Sequence, residues 1–403
     1  MRRVVITGLS AISPIGNEIE SITKNLKEGY CAIENITSFD TTNFPVKVVA
    51  KTDIDLEEFI DKKSLRRMDR VTSLGVVAAI KAIRDSNLDL KKEDQLKVGV
   101  MVSSGIGGLN TICEEHTNLI YSGNKKVSPF FIPKSIANIT AAQIAINLGI
   151  HGYVGCPVTA CAGSLNAILD AYRSIKDGYS DVILAGGSES SINELALAGF
   201  NNMKALTQSE DKNYASIPFD INRNGFVMGE GASILVLEEY EHAKRRNAKI
   251  YAEILSASIS CDAFHITAPV ENGSFAKLAI IDAIKSAGIS VEDIDYINAH
   301  ATSTMLNDKI EAMIYSEIFK RDEYFISGTK SMTGHLLGAS GALESVITIL
   351  AMKNNFIPPT INTKSTDCSI KLSNVAVNKE INIAMNNSLG FGGHNISVIF
   401  RRI

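Results

Sequence analysis

A cysteine set between a strand-like run and a helix is the first feature of this chain with chemical potential. Val158-Thr159-Ala160-Cys161 breaks at Ala162-Gly163-Ser164. Leu165, Ile168, Leu169, Tyr172 and Ile175 then recur at the spacing of one buried helical face, and Gly178 supplies a stop. Cys161 is therefore expected at or just before a helix N-terminus. Unpaired backbone N–H groups and the helix dipole favour negative charge there, so the thiol is expected to ionise readily, and the thiolate is the nucleophile. A free cysteine also serves as a small buried hydrophobe, and this segment alone suits both readings.

Two histidines occupy comparable places. Asn298-Ala299-His300-Ala301-Thr302-Ser303-Thr304 puts one at a strand end, and Lys330-Ser331-Met332-Thr333-Gly334-His335 does the same after Phe325–Gly328. Each alone suits a structural hydrogen-bonded residue. Together with Cys161 they stand at the kind of strand-end position where α/β sheets gather reacting groups. A neutral imidazole can donate a hydrogen bond to a carbonyl under attack without surrendering charge. Lys330 suits either a general base or a supporting ion pair with Glu344. Asn387-Ser388-Leu389-Gly390-Phe391-Gly392-Gly393-His394-Asn395 is expected as a loop whose backbone N–H approaches a ligand oxygen, or as a plain turn. It lacks the lysine and spacing of a phosphate-binding loop, and Ser104-Gly105-Ile106-Gly107-Gly108 lacks the rest of a dinucleotide fingerprint.

The elements that must position these groups alternate along the chain. Strands are expected at Arg3–Thr7, Val98–Ser103, Val182–Ala185, Ser233–Leu237, Tyr251–Leu255, Asp295–Asn298, Phe325–Ser327 and Ile396–Phe400. Leu343, Val346, Ile347 and Leu350 mark a helix behind a Ser340 cap, and Phe275 to Ser286 another, ended by Gly288. The pattern argues an α/β protein. A faint internal echo links Thr7–Ser10 with Asn298–Thr302, and the Ser164 region with Gly338–Gly341. With a charged helix at Glu238–Arg246 as hinge, two halves are expected, 1–250 with the cysteine and 251–403 with both histidines.

A chain of 403 residues favours two domains or a duplicated unit over one small core. Hydrophobic content of 45% with 21% charged residues is that of a globular protein, and a net charge of −4 gives no reason to expect nucleic acid or an anionic membrane as partner. Three apolar residues before Thr7 and Gly8 are too few for a signal peptide, and runs such as 346–352 are too short to span a bilayer. Cys31, Cys113, Cys156, Cys161, Cys261 and Cys368 show neither disulfide nor zinc spacing, so the expectation is a cytoplasmic protein without metal.

Read as blocks, VSSGIGGL (102–109), SPFFIP (128–133), VTAC (158–161), GGSES (186–190), FNNMKALT (200–207), PFDINRNGFVMGEGA (218–232), NAHATST (298–304), KSMTGHLLGASGALE (330–344) and NSLGFGGHN (387–395) resemble the β-ketoacyl-[acyl-carrier-protein] synthases over essentially the whole chain. The resemblance implies the thiolase fold, α-β-α-β-α layered with two pseudo-duplicated halves, and usually a homodimer. It implies an acyltransferase that condenses acyl and malonyl carrier-protein thioesters to 3-oxoacyl carrier protein and carbon dioxide, the phosphopantetheine arriving on the carrier and no cofactor being bound. Cys161 would carry the acyl chain; His300 and His335 would promote decarboxylation and stabilise the enolate. Backbone N–H groups of Cys161 and Phe391 would form the oxyanion hole, with Phe391 also gating the acyl pocket. Lys330 with Glu344 would organise the site, Thr302 and Thr304 would contact the phosphopantetheine arm, and Ile106 would line the acyl pocket. The Cys-His-His set points to the elongating enzymes, and Ile106 to their type II form.

An acidic carrier docking on a slightly acidic chain needs a local basic patch, which the resemblance puts at Lys63, Arg66, Arg67, Lys125, Lys126 and Lys204. Ala301, Met305, Leu389 and His394 depart from the family's usual glycine, proline, phenylalanine and threonine. They leave a discrete ketosynthase of a type II polyketide or other specialised acyl pathway as the alternative to fatty-acid elongation.

Overall fold

Alternating apolar runs assemble into one ten-stranded sheet in the computed structural model, which describes residues 2–320 and 324–403. In chain order its strands are β1 (Val4–Ile12), β2 (Val98–Ser103), β3 (Val154–Gly155), β4 (Val182–Glu189), β5 (Gly231–Glu239), β6 (Ala252–Cys261), β7 (Tyr296–Asn298), β8 (Phe325–Ser327), β9 (Ile383–Gly390) and β10 (His394–Arg401). β3 and β9 were not expected from the sequence. The glycine-rich run read as a loop is the end of β9, a tight turn and the start of β10, because Asn387–Gly390 pair across to His394–Ser397. β1 continues to Ile12 through a bulge between Ile6 and Gly8. Val4, Ile6, Leu9 and Ala11 all face the central core. With a side-chain period of two, passing from even to odd positions on one face requires that extra residue.

The strand order is β8-β7-β9-β10-β6-β1-β5-β4-β2-β3. β1 and β6 join antiparallel through Val4–Ile6 and Ala252–Ile254. From either edge inward the halves read alike: β3-β2-β4-β5-β1 and β8-β7-β9-β10-β6. In each, two parallel pairings are followed by two antiparallel ones. β1 thus corresponds to β6 and β2 to β7. The likeness between Thr7–Ser10 and Asn298–Thr302 is not a repeat relation, whereas that between the turns before Ser164 and Gly341 is.

The helices that cover the sheet and position the site are α1 (Arg70–Ser86), α2 (Ile139–Leu148), α3 (Gly163–Lys176), α4 (Tyr240–Arg245), α5 (Ser274–Ala287), α6 (Met305–Ile318) and α7 (Ser340–Asn354). The faces expected from the sequence, Leu165 to Ile175 of α3 and Leu343 to Leu350 of α7, share the central core between the half-sheets. Burying each such leucine or isoleucine contributes about 1.5–3 kcal/mol. α1 and α2 cover the outer face of the first half through Val98, Val100 and Val102, and α5 and α6 that of the second. The layering is α-β-α-β-α. A Cβ at Gly341 would meet Leu165 Cβ at 2.7 Å, so glycine there lets the N-termini of α7 and α3 touch.

Two boundary expectations are corrected. The stretch 238–246 is not one charged helix: Glu238 and Glu239 complete β5, because the buried Glu238 carboxylate accepts bonds from Thr7 and Arg246. Ser340 is not a cap. The N-cap of α7 is Ala339, without a side-chain bond, and Ser340 is the first helical residue.

Candidate active site

The repeated topology brings the reactive residues to one place. After β3 the chain enters a tight 3₁₀ turn, Ala160–Ala162, that holds Cys161 and leads into α3. After β8 it makes the short helix Lys330–Thr333, passes His335, and enters the equivalent turn Leu337–Ala339 before α7. Ala160 and Leu337 begin these turns with φ of 48° and 46°, the same left-handed entry in both halves. His300 follows β7. Cys161, His300 and His335 line one cavity of about 330 Å³, together with Phe226, Thr302, Thr304 and Phe391.

The two imidazole rings stand edge-to-face with centroids 5.3 Å apart, and Phe226 packs edge-on against His335 at 5.0 Å. Behind them Lys330 is buried, and its ammonium uses all three protons. It pairs with the Glu344 carboxylate, donates to the His300 carbonyl at 2.6 Å, and meets His300 Nδ1 at 3.3 Å. An ammonium cannot accept, so Nδ1 holds the lone pair and the His300 proton is on Nε2. Burial first, then the Lys330 charge, holds both histidines well below the ordinary imidazole value, so they are neutral donors. Burial pushes the Glu344 carboxyl up to about 7 against the pull of Lys330. Pairing is what makes two buried charges tolerable here. Lys330 and Glu344 thus form a buried ion pair, the arrangement that was one of the two readings of Lys330.

Cys161 departs from expectation. Burial pushes its thiol up to about 12 and Glu189 adds to the rise, while Lys330 and the Phe391 and Cys161 backbone N–H groups pull the other way. The helix N-terminus is present, but removal of water from the sulfur outweighs it. Cys161 rests as a thiol. Glu189, at the end of β4, accepts from the Gly105 and Gly338 N–H groups at 2.7 and 3.1 Å, tying the two halves together beside the sulfur.

The loop carrying His300 is held by acids that the sequence reading missed. Glu311 accepts from the His300 and Ala301 N–H groups at 2.6 and 2.8 Å, and Asp308 from Ser303 and Phe219. Ala301, Ser303 and Phe219 have φ of 43°, 66° and 63°, a strain these carboxylates stabilise. The usual glycine at 301 is thereby explained, and the Ala301 methyl packs over Gly328, where a Cβ would come within 2.8 Å of it. Buried Arg223 clasps the carbonyls of Thr304 and Met305. Asp308, Glu311 and Tyr315 recur at helical spacing on a buried face of α6, and that polar stripe was the available signal.

The remaining predicted residues divide. The Thr302 and Thr304 hydroxyls lie 2.9 Å apart on the cavity wall. Met305, Leu389 and Lys204 also line the cavity. Ile106 packs in the apolar cluster around Cys161 with Phe226 and Leu337. Lys63, Arg66, Arg67, Lys125 and Lys126 are exposed and do not line the cavity. The Arg67 guanidinium lies 5.3 Å from the Phe130 ring centre, joining the segment before α1 to the SPFFIP block.

Comparison with known proteins gives this geometry a lineage. Residues 1–243 match the β-ketoacyl synthase N-terminal domain and residues 251–364 its C-terminal domain. The chain is 43% identical over 408 residues to 3-oxoacyl-[acyl-carrier-protein] synthase 2 of Synechocystis sp., covering all of this chain and 98% of the relative. Among solved structures it resembles the ishigamide ketosynthase/chain length factor, with a TM-score of 0.94 and 33% identity over 100% of this chain and 99% of that one. It also resembles a type II polyketide ketosynthase in complex with its acyl-carrier protein, with a TM-score of 0.93 and 28% identity over the full length of both. With both halves matched in order and the thiolase fold in place, the chain belongs to the β-ketoacyl synthase family.

Proposed function

We propose that the protein condenses acyl-[acyl-carrier-protein] with malonyl-[acyl-carrier-protein] to give 3-oxoacyl-[acyl-carrier-protein] and carbon dioxide in fatty-acid elongation. The observation that carries this is one cavity lined by a thiol and two neutral imidazoles, with the Lys330–Glu344 pair behind one of them. Cys161 Sγ attacks the acyl thioester carbonyl, whose oxyanion is held by the Cys161 and Phe391 N–H groups. The carrier thiol leaves with the cysteine's proton. In the second half-reaction His300 and His335 donate to the malonyl thioester oxygen. The bond to the carboxylate breaks, carbon dioxide departs, and the electron pair becomes an enolate. Its carbon attacks the Cys161 thioester, the new carbon–carbon bond forms, and the sulfur leaves and regains a proton from solvent. Loss of carbon dioxide makes the carbanion without a strong base, so positioning and two neutral donors suffice. The chain needs no cofactor or metal of its own for these steps.

In this reading Thr302 and Thr304 hold the phosphopantetheine arm, Ile106 lines the acyl pocket, and Phe391 gates it. The carrier docks on Lys63, Arg66, Arg67, Lys125, Lys126 and Lys204. Residues 1–250 and 251–403 form the two halves. The protein works in the cytoplasm as a homodimer. Support for the dimer comes from β3, an edge strand beside the exposed Ile146, Tyr153 and Val158, a face of a kind monomers seldom leave open. Among the described residues no helix is long and apolar enough to cross a membrane.

Release of labelled carbon dioxide from malonyl carrier protein, with product analysis over carrier thioesters of graded length, tests the function. Cys161→Ala should abolish condensation and keep some decarboxylation, since both histidines remain. No release by the unaltered protein would overturn the reading, and products of repeated extension from one starter would favour the polyketide alternative.

A further inference from the structure

The contact that carries a further inference lies on the far side of His335. Ser340, the first residue of α7, places its Oγ 2.8 Å from His335 Nδ1, and both groups are buried. This serine hydroxyl has no other hydrogen-bond partner among the described residues. Two arrangements are possible for the pair. If Nδ1 bears the proton and donates to Oγ, the hydroxyl proton is left buried and unpaired, at a cost typical of an unsatisfied donor. If the hydroxyl donates to Nδ1, the serine proton is satisfied and the imidazole proton sits on Nε2. Hydrogen-bond accounting selects the second. His300 reaches the same tautomer through Lys330, so the two rings present matched Nε2–H donors by different devices, one ionic and one neutral.

We infer that Ser340 is a positioning residue that holds His335 as its Nε2–H tautomer and fixes the ring's direction in the cavity. The inference rests on the decarboxylating role given to His335 above. The fold makes the device possible. The turn Leu337–Ala339 returns the chain so that the first residue of α7 backs onto the histidine five residues earlier. The N-cap being Ala339, the serine hydroxyl is free of the capping duty its position suggested. A neutral partner also leaves His335 uncharged, whereas a carboxylate there would draw the proton to Nδ1 and turn the lone pair of Nε2 toward substrate.

The test begins with the unaltered protein, labelled with ¹⁵N-histidine and observed by NMR; its seven histidines keep the spectrum tractable. Loss of one signal in a His335→Gln sample assigns the resonance. A protonated Nε2 and a hydrogen-bonded, unprotonated Nδ1 are expected, and a proton on Nδ1 would overturn the inference. Ser340→Ala should then show mixed tautomers and a kcat for malonyl carrier-protein decarboxylation about tenfold lower, the scale of losing one neutral hydrogen bond, with KM within about twofold. Ser340→Thr should restore both. An alanine variant with the original tautomer and kcat would also overturn it. Because the spectrum needs no turnover, absence of decarboxylation in the unaltered protein would count against the proposed function and not against the Ser340 contact.

Discussion

Cys161 concentrates the competition between local and global electrostatics. The start of α3, the Phe391 N–H and the Lys330 ammonium favour its anion; burial and Glu189 oppose them and dominate, pushing the thiol up to about 12. The sign is plain: a raised thiol pKa leaves little thiolate at neutral pH, and that fraction grows about tenfold with each pH unit. Alkylation of Cys161 by iodoacetamide in the free protein should therefore accelerate steadily from pH 7 to 9, followed by peptide mass mapping. A plateau near neutrality would mean that the helix N-terminus prevails after all. His300 offers the complementary case. Its Nε2–H is aligned before substrate arrives because Lys330 occupies Nδ1, so His300→Ala should cut malonyl decarboxylation about 10²-fold, the scale of removing a preorganised donor.

At the scale of elements, the site depends on how closely two helices approach. α3 and α7 each open from a turn entered in the left-handed region, and each turn delivers a reactive residue or its neighbour. Gly341 is the point of contact, with Leu165 Cβ 2.7 Å and Leu165 N 2.9 Å from where a Cβ would stand. Gly341→Ala should therefore cost about 1–3 kcal/mol of stability through overpacking, measured by denaturant unfolding. It should also lower condensation, since Cys161 and His335 precede these helices and would shift with them. Unchanged stability would mean that the helices separate without strain. The β1 bulge is the sheet's counterpart to this device, keeping Leu9 and Ala11 in the same core as Val4 and Ile6.

At the scale of the molecule, a charged cluster pins the passage between halves. Glu238 at the end of β5 is surrounded by Arg246, His242 and Thr7, and His242 also reaches Glu93 at 2.8 Å. Burial alone would raise the Glu238 carboxyl, but Arg246, His242 and Thr7 hold it down at about 2. The Glu238 hydrogen bond raises His242 above its ordinary 6.5. A raised histidine contributes stability below its unfolded value and loses it as pH climbs through the folded one. A lowered carboxylate contributes above its unfolded value and loses it as pH falls toward 2. The cluster therefore stabilises most between about pH 5 and 6.5. His242→Gln should lower the melting temperature more at pH 6 than at pH 9; an equal loss at both would show that the ring's charge is irrelevant. On the outer surface, Arg66→Glu with Arg67→Glu should raise KM for carrier-protein substrate and flatten its salt dependence, while a small pantetheine thioester is turned over as before. Equal losses with both substrates would place the docking surface elsewhere.

Eight of the ten strands, both inner helical faces and the strand-end position of His300 were legible in the chain, because periodicity and turn residues are local properties. The strand-like run before Cys161 is instead irregular chain and a 3₁₀ turn, and His335 follows a short helix rather than a strand. β3 was too short to read, and β9 was hidden by the glycines that end it. Corrections came wherever the outcome depended on distant residues. Ser340 reads as a cap until the preceding turn folds it back onto His335. Cys161 reads as an activated thiol until the surrounding core strips away its water. Asp308 and Glu311 had no assigned part in the sequence, and only the fold brings them against the His300 loop. Local pattern decides which segments are strands or helices, since it acts through neighbours along the chain. Protonation, tautomer and ion pairing are decided only after folding, since they depend on which far-separated groups exclude solvent from one another.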